Sequence, residues 1–414
     1  MNFPYGRHIV IVALLVLLAG GVRIWGIGLP ATYIGDEAAQ VPAARAFVAS
    51  GNSDGTFWHH PPLGLILLDG TIRLFGDNPY GWRMRNVLAG ALLVAVVFFL
   101  AVELFADRRV AFLAGLIVAL DPLHITVSRM TTDEIPATLF FFIAWLATLS
   151  YVRGRSATPL LAGIAAGLSL ATKPYYGPAL LVLFVYAWRR RGESTTSLAA
   201  RLHLVLVFVL VPVTVYILSY LPWFGRGYGL GEFVRFVADS YRDLSLMTPA
   251  WFRFDSVLRQ AGGPGRWFTL PSMVGMEISA DGPWRQYVIY LNDPPVWFLT
   301  LPACIYALLQ TRREDSPMAL SPLILFLAAY LPLLAVSRPI YLYSATAVFP
   351  FAAILIAAAL QGVADRFRMR RLLPLFTVAL FAWGAYTYPL ATRKTVPFSL
   401  YRPLIDQTKI IRTF

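Results

Sequence analysis

The sequence has a single cysteine in 414 residues, Cys304, and it lies inside an apolar run, which excludes both an internal disulfide framework and a cysteine metal site. Charge is scarce too. Only 14% of residues are Asp, Glu, Lys or Arg while 58% are hydrophobic, which excludes an ordinary water-solvated globular domain. The net charge of +13 does not point to nucleic acid, because the basic residues fall between hydrophobic segments rather than on one polar face. There is no internal repeat, no low-complexity tract, and no inverted pair of broken helices of the kind that marks secondary transporters.

What the chain does have is apolar runs long enough to cross a bilayer, which takes about 20 residues for about 30 Å of hydrocarbon. The first, residues 9 to 27, is too long for a signal-peptide core and has no clear small-residue cleavage site. Others lie near 84–105, 109–127, 134–151, 159–172, 174–188, 202–222, 294–310, 319–336, 341–361 and 371–389. The expectation is an all-α integral membrane protein, a single polytopic domain over 1–414 with about eleven transmembrane helices. An odd count puts the termini on opposite sides. Arg108-Arg109, Arg153/Arg155, Arg189-Arg190-Arg191, Arg312-Arg313 and Arg366/Arg368/Arg370/Arg371 share one side, which the positive-inside bias makes cytoplasmic, with the N-terminus. Two long connections, 28–83 and 223–293, are then extracytoplasmic. Both are rich in Trp, Tyr, Pro and Gly, as suits segments lying against membrane lipids. The tail from Arg393 is mildly basic, and Tyr401-Arg402-Pro403 reads as an interfacial anchor.

The candidate chemistry gathers on the outer side. Asp36-Glu37 follows the first span and precedes an amphipathic stretch, Ala38 to Val48. Partial burial would raise a carboxylate's proton affinity toward the working pH, as a general base for a hydroxyl requires. The same pair also suits a plain helix N-terminus. Next, His59-His60-Pro61-Pro62-Leu63-Gly64 holds two imidazoles at a proline-fixed helix entry. Adjacent histidines lack the i, i+4 spacing of metal ligands, so positioning is the better role and no metal or other cofactor is expected. Asp121-Pro122-Leu123-His124 runs to Ser128-Arg129 and then Asp133-Glu134 at a span mouth. Such residues are either snorkelling anchors or a site. Isolated cations, Arg83, Arg85, Lys173 and Arg338, sit at outer helix ends against the usual charge bias, where a lipid-borne phosphate would account for them.

These residues resemble the protein O-mannosyltransferases and the wider GT-C membrane glycosyltransferases, which include the aminoarabinose transferases acting on lipid A. Asp36-Glu37 is similar to the family's acidic pair in the first outer loop, and His60-Pro61-Pro62-Leu63-Gly64 to its His-Pro-Pro-Leu-Gly-Lys. Leu120-Asp121 through Ser128-Arg129 to an acidic residue, and Asn292-Asp293-Pro294-Pro295-Val296-Trp297, follow in the family's order. The resemblance implies GT-C architecture and an inverting, metal-independent transfer of a sugar, mannose or another hexose, from a polyprenyl-phosphate carrier to a hydroxyl of protein, lipid or glycan. It gives Asp36 the role of base and Glu37 that of supporting the acceptor or the base. Donor-phosphate contacts fall to Arg83 or Arg85, with Arg83 preferred for its spacing to Gly90, and to Arg129, Lys173, Arg338 and Tyr341. His59, His60 and Asp133 or Glu134 would position substrate. Family members often pair, so a dimer is one expected arrangement.

The chain departs from the pattern at Leu65, where the family has lysine, and in the second long loop, whose roughly seventy residues are too few for the β-trefoil of eukaryotic members. That favours a prokaryotic plasma-membrane (inner-membrane) member. The alternatives are a transferase modifying a lipid or envelope glycan, and a flippase for a lipid-linked sugar. An oligosaccharyltransferase would carry a large C-terminal domain where only about 25 residues follow the last expected span.

Overall fold

The computed structural model describes residues 8–51, 60–156, 158–192, 197–246, 263–268, 273–292, 294–311, 321–335, 340–405 and 409–412. The chain forms two compact units, one of residues 1–30, 90–129 and 252–414, the other of 31–89 and 130–251.

In chain order the helices are α1 (Ile9–Ile24), α2 (Glu37–Ser50), α3 (Leu63–Phe75), α4 (Pro79–Phe105), α5 (Arg108–Leu120), α6 (Pro122–Ser128), α7 (Glu134–Val152), α8 (Leu160–Thr172) and α9 (Gly177–Ala187). Next come α10 (Leu198–Val205) and α11 (Val211–Leu218), joined by a π-helical turn, then α12 (Leu221–Phe224) and α13 (Leu230–Leu246). The last are α14 (Pro294–Trp297), α15 (Thr300–Thr311), α16 (Ser321–Leu334), α17 (Phe349–Arg366), α18 (Leu372–Ala391) and α19 (Phe398–Ile405).

Each segment expected to span overlaps a helix among the described residues. Among the described residues, five helices are long and apolar enough to cross a bilayer: α4, α7, the continuous Leu198–Leu218, α17 and α18. The bent pair α5–α6 makes a sixth. Its 59° bend has a local cause. Pro122 has no N–H for the helix ladder and drives Asp121 to extended backbone (ψ 123°), after which the Asp121 carboxylate caps α6 through the His124 N–H at 2.7 Å.

In the unit of residues 31–89 and 130–251, α2 and α3 pack through Val41, Ala44, Phe47, Leu65, Leu68 and Ile72, and Tyr220, Trp223 and Phe233 complete that core. The first long loop therefore holds two helices. Gly51 ends α2 in the left-handed conformation (φ +70°), its N–H bonding the Phe47 carbonyl. Small residues let α8 lie close to its neighbour: a Cβ on Gly163 would stand 2.2 Å from the Val207 carbonyl oxygen, and one on Gly167 would crowd Pro212 and Val215.

The other unit corrects the all-α expectation. It carries a four-stranded sheet in the order β3-β2-β1-β4, from β1 (Met273–Asp281), β2 (Trp284–Leu291), β3 (Val396–Pro397) and β4 (Lys409–Arg412). Strands β1 and β2 form an antiparallel hairpin whose turn uses Gly282 at φ +51°, while β4 pairs parallel to β1. Alternate residues Tyr287, Ile289 and Leu291 face one way and pack on Leu390, Val396 and Tyr401. Tyr401, read from sequence as an interfacial anchor, is thus buried against the sheet, donating to the Tyr386 carbonyl at 2.9 Å.

Candidate active site

The acidic and basic motifs of the unit 31–89 and 130–251 converge as matched pairs. Arg83, one turn into α4, holds Glu37 with two nitrogens, Nε to Oε1 and Nη2 to Oε2, both at 2.9 Å. Both side chains are fully buried. Glu37 Oε2 also accepts from the Ile34 N–H at 3.1 Å, and Arg83 Nη2 donates to the Thr32 carbonyl at 3.1 Å. The pair therefore fixes the segment that carries Asp36.

Arg85 lies 3.2 Å from Asp133 Oδ1 and donates to the Asn86 side-chain oxygen (2.9 Å), the Thr132 carbonyl (2.7 Å) and the Gly64 carbonyl. Asn86, fully buried, donates to the Thr132 carbonyl at 2.7 Å as well. Gly64 has a specific task here, since a Cβ at that position would stand 2.3 Å from Asp133 Oδ1.

Lys173, just beyond α8, donates to Glu134 Oε1 at 2.5 Å, and the Tyr175 hydroxyl donates to the same oxygen at 3.0 Å. Its ammonium also stands 4.7 Å from the centroid of the Tyr175 ring. Burial opposes the charge on Lys173, but Glu134, with Tyr175 and Asp133, outweighs it and holds the ammonium above its ordinary pKa. Beneath this pair, Thr138 shares a 2.8 Å hydrogen bond with the Tyr176 hydroxyl.

Four carboxylates against three cations leave one acid over, Asp36. It is the N-cap residue of α2, yet its side chain makes no capping bond, so helix capping does not account for it. Burial first, and then the negative charge of Glu134, push its pKa up to about 6, against the opposing pull of Lys173. Asp133 is raised as well, by burial that Arg85 and Lys173 only partly offset.

This geometry revises several expectations. Arg83 and Arg85, expected at the donor phosphate, are buried and engaged by carboxylates, as Lys173 is. Arg129 belongs to the other unit and is fully buried, donating to the carbonyls of Arg23 (2.6 Å), Trp25 (2.7 Å), Gly26 (3.0 Å) and Thr392 (3.3 Å). It ties these backbone segments together. Glu37 is held by Arg83 and bonds the Ile34 backbone just before Asp36. In the same unit as Arg129, Asp121 accepts from the Trp297 indole at 2.7 Å, which joins two motifs singled out in the sequence. Tyr341 is exposed and stacks on Tyr343 with ring centroids 5.8 Å apart. His60 is half-buried at the entry to α3, and His59, Arg338 and Asp293 lie outside the described residues. The sequence reading passed over Asn86, Thr132 and Tyr175. The signal for Tyr175 was its place two residues after Lys173, while Asn86 carried no pattern of its own.

Residues 59–218 match the family described as dolichyl-phosphate-mannose-protein mannosyltransferase. A polyprenol-phosphate-mannose–protein mannosyltransferase of Mycolicibacterium smegmatis is 27% identical, covering 92% of this chain and 88% of that protein. Among solved structures, ArnT from Cupriavidus metallidurans in the apo state superposes with a TM-score of 0.58 at 19% identity, over 92% of this chain and 64% of ArnT. The same protein bound to undecaprenyl phosphate gives 0.53 at 18% identity, over 93% of this chain and 65% of ArnT. The chain thus spans just under two-thirds of that structure's length. The resemblance to the protein O-mannosyltransferases is borne out, and the fold is that of the GT-C membrane glycosyltransferases.

Proposed function

We propose that this relative of the protein O-mannosyltransferases is an inverting membrane glycosyltransferase that moves a sugar, mannose, from a polyprenyl-phosphate carrier to a hydroxyl of protein Ser or Thr. The observation that carries the reading is Asp36, the one carboxylate left over from three matched ion pairs, with a pKa of about 6. Asp36 takes the acceptor proton as the hydroxyl oxygen forms its bond to the anomeric carbon. The bond from that carbon to the phosphate oxygen breaks on the opposite face, and polyprenyl phosphate leaves with the electron pair. Lys173, held by Glu134 and Tyr175, stands at the C-terminal end of α8. The donor-phosphate role of Arg338 and Tyr341 and the positioning roles of His59 and His60 rest on the resemblance alone.

The finer membrane picture belongs to the same proposal. Eleven crossings, counting the shorter apolar helices, put the N-terminus in the cytoplasm and both long loops outside, in a prokaryotic plasma membrane. A pair of copies is the assembly the resemblance suggests. Partner relationships follow the names of the relatives: protein is the acceptor in the mannosyltransferase names, and a lipid or envelope glycan is the second acceptor class.

The test is transfer of label from radiolabelled polyprenyl-phosphate mannose by purified protein in lipid, with a membrane-and-protein acceptor mixture and Asp36→Asn as control. Label in protein, lost with the variant, supports the proposal. Label in the lipid fraction moves the acceptor to an envelope glycan. No transfer to either, with donor still bound, overturns the reading.

A further inference from the structure

In the unit of residues 1–30, 90–129 and 252–414, a cleft of about 1160 Å³ opens between the start of α5, the end of α17 and the start of α18. Arg108 and Arg109 line it from one side and Arg368 and Arg370 from the other, with Asp365 as the acid among them. Four arginines against one aspartate leave it a formal charge of +3. Among the described residues, none of these four guanidinium groups has a hydrogen bond or ion pair. Arg368 sits at φ +54°, in the tight turn that sets it and Arg370 on either side of Met369.

Gln361 supplies an independent observation. It lines the same cleft, is 5% exposed, and donates its Nε2 to Asp365 Oδ2 at 2.8 Å. Its Oε1 is buried with no donor among the described residues. A buried amide oxygen left without a donor is costly, and a hydroxyl would satisfy it. The lining also has an apolar part, in which Phe112 and Val378 are both exposed. An orientation signal needs only positive charge. It needs neither a cleft nor an unsatisfied amide beneath it.

We infer that this cleft binds an anionic phospholipid with a polyol headgroup, of the phosphatidylglycerol type. The phosphate meets the arginines, a glycerol hydroxyl donates to Gln361 Oε1, and the acyl chains run along Phe112 and Val378. Basic pockets between membrane helices are where such headgroups bind. Lipid binding here does not depend on the transfer chemistry.

The experiment is native mass spectrometry of the delipidated full-length protein with added phosphatidylglycerol or phosphatidylcholine, with sn-glycerol 1-phosphate as a soluble competitor. Phosphatidylglycerol should be retained at least tenfold better than phosphatidylcholine, and the competitor at a hundredfold excess should not displace it. Arg109→Ala/Arg368→Ala should lower retention about tenfold. Gln361→Leu, which leaves every charge in place, should lower it severalfold. Arg201→Ala, outside the cleft, should change nothing. Equal retention of the two lipids, displacement by the soluble phosphate ester, or the same loss from Arg201→Ala would each overturn the assignment. If the double arginine variant does not fold, the wild-type lipid comparison and Gln361→Leu still decide it.

Discussion

Arg83 and Glu37, 46 residues apart in sequence, meet as a fully buried two-point ion pair, and the same two side chains bond the backbone of Thr32 and Ile34. The pair is thus a clamp on the segment leading to Asp36. Two buried charges hold each other's desolvation in check, and removing one leaves the other uncompensated.

Glu37→Gln should accordingly lower stability by about 3–5 kcal/mol. Glu37→Met/Arg83→Met, which removes both charges, should recover most of that loss while staying slow in transfer, because Thr32 and Ile34 have lost their anchors. Thermal unfolding in detergent, alongside transfer rates, separates the two effects. An unchanged melting temperature in Glu37→Gln would show that the pair carries no structural load.

The raised pKa of Asp36 ties activity to stability. As a base it must be ionised, so kcat/KM should climb with pH through about 6 and level off above. Because the folded protein binds this proton more tightly than the unfolded chain does, stability is undiminished at low pH and falls as pH rises toward 6. Above that the ionised form costs roughly 3 kcal/mol. Asp36→Asn should therefore abolish transfer and raise the melting temperature at pH 8, with little change at pH 4. A variant that melts like wild type at pH 8 would mean that Asp36 is not held in a desolvated setting.

The helices and the charged residues of this cluster were legible in the sequence, but the pairing was not. Hydropathy windows locate spans because apolar runs are local, and Pro174 marks the break between 159–172 and 174–188 for the same reason, whereas the expected span 109–127 ran through the break at Pro122. Arg83 and Arg85 stood out as cations on the wrong side for topology, and Glu37 and Asp133 stood out as acids. That these neutralise one another depends on contacts 46 to 48 residues apart, which no local pattern encodes. The hairpin of residues 273–291 was missed for a different reason. Asp281-Gly282 between two apolar stretches is a strong turn signal, and a reading tuned to membrane-length runs passed over strands of nine and eight residues.

The charges around Asp36 make a test with opposite signs. Glu134 raises its pKa and Lys173 lowers it. Glu134→Gln should then move the rising limb of the pH–rate profile to lower pH, and Lys173→Met should move it to higher pH. Both variants will also lose rate, since each breaks a buried pair. The limb position is independent of that loss. Shifts in the same direction, or no shift in either, would detach the measured limb from Asp36.

Gly64 and Gly70 lie on the same helix and offer a matched comparison. A Cβ at Gly64 would stand 2.3 Å from Asp133 Oδ1 and 2.9 Å from its Cγ, whereas one at Gly70 meets nothing within 4 Å. Gly70→Ala gains helix propensity and should be neutral or stabilising by up to about 1 kcal/mol. Gly64→Ala gains the same propensity but must push a buried carboxylate away from Arg85. Overpacking alone costs about 1–3 kcal/mol, and the displaced ion pair adds to it. The expected result is a lower melting temperature and weaker transfer for Gly64→Ala, and neither for Gly70→Ala. If the two variants behave alike, Gly64 is present for flexibility and the close approach of Asp133 to the α3 backbone has no energetic weight.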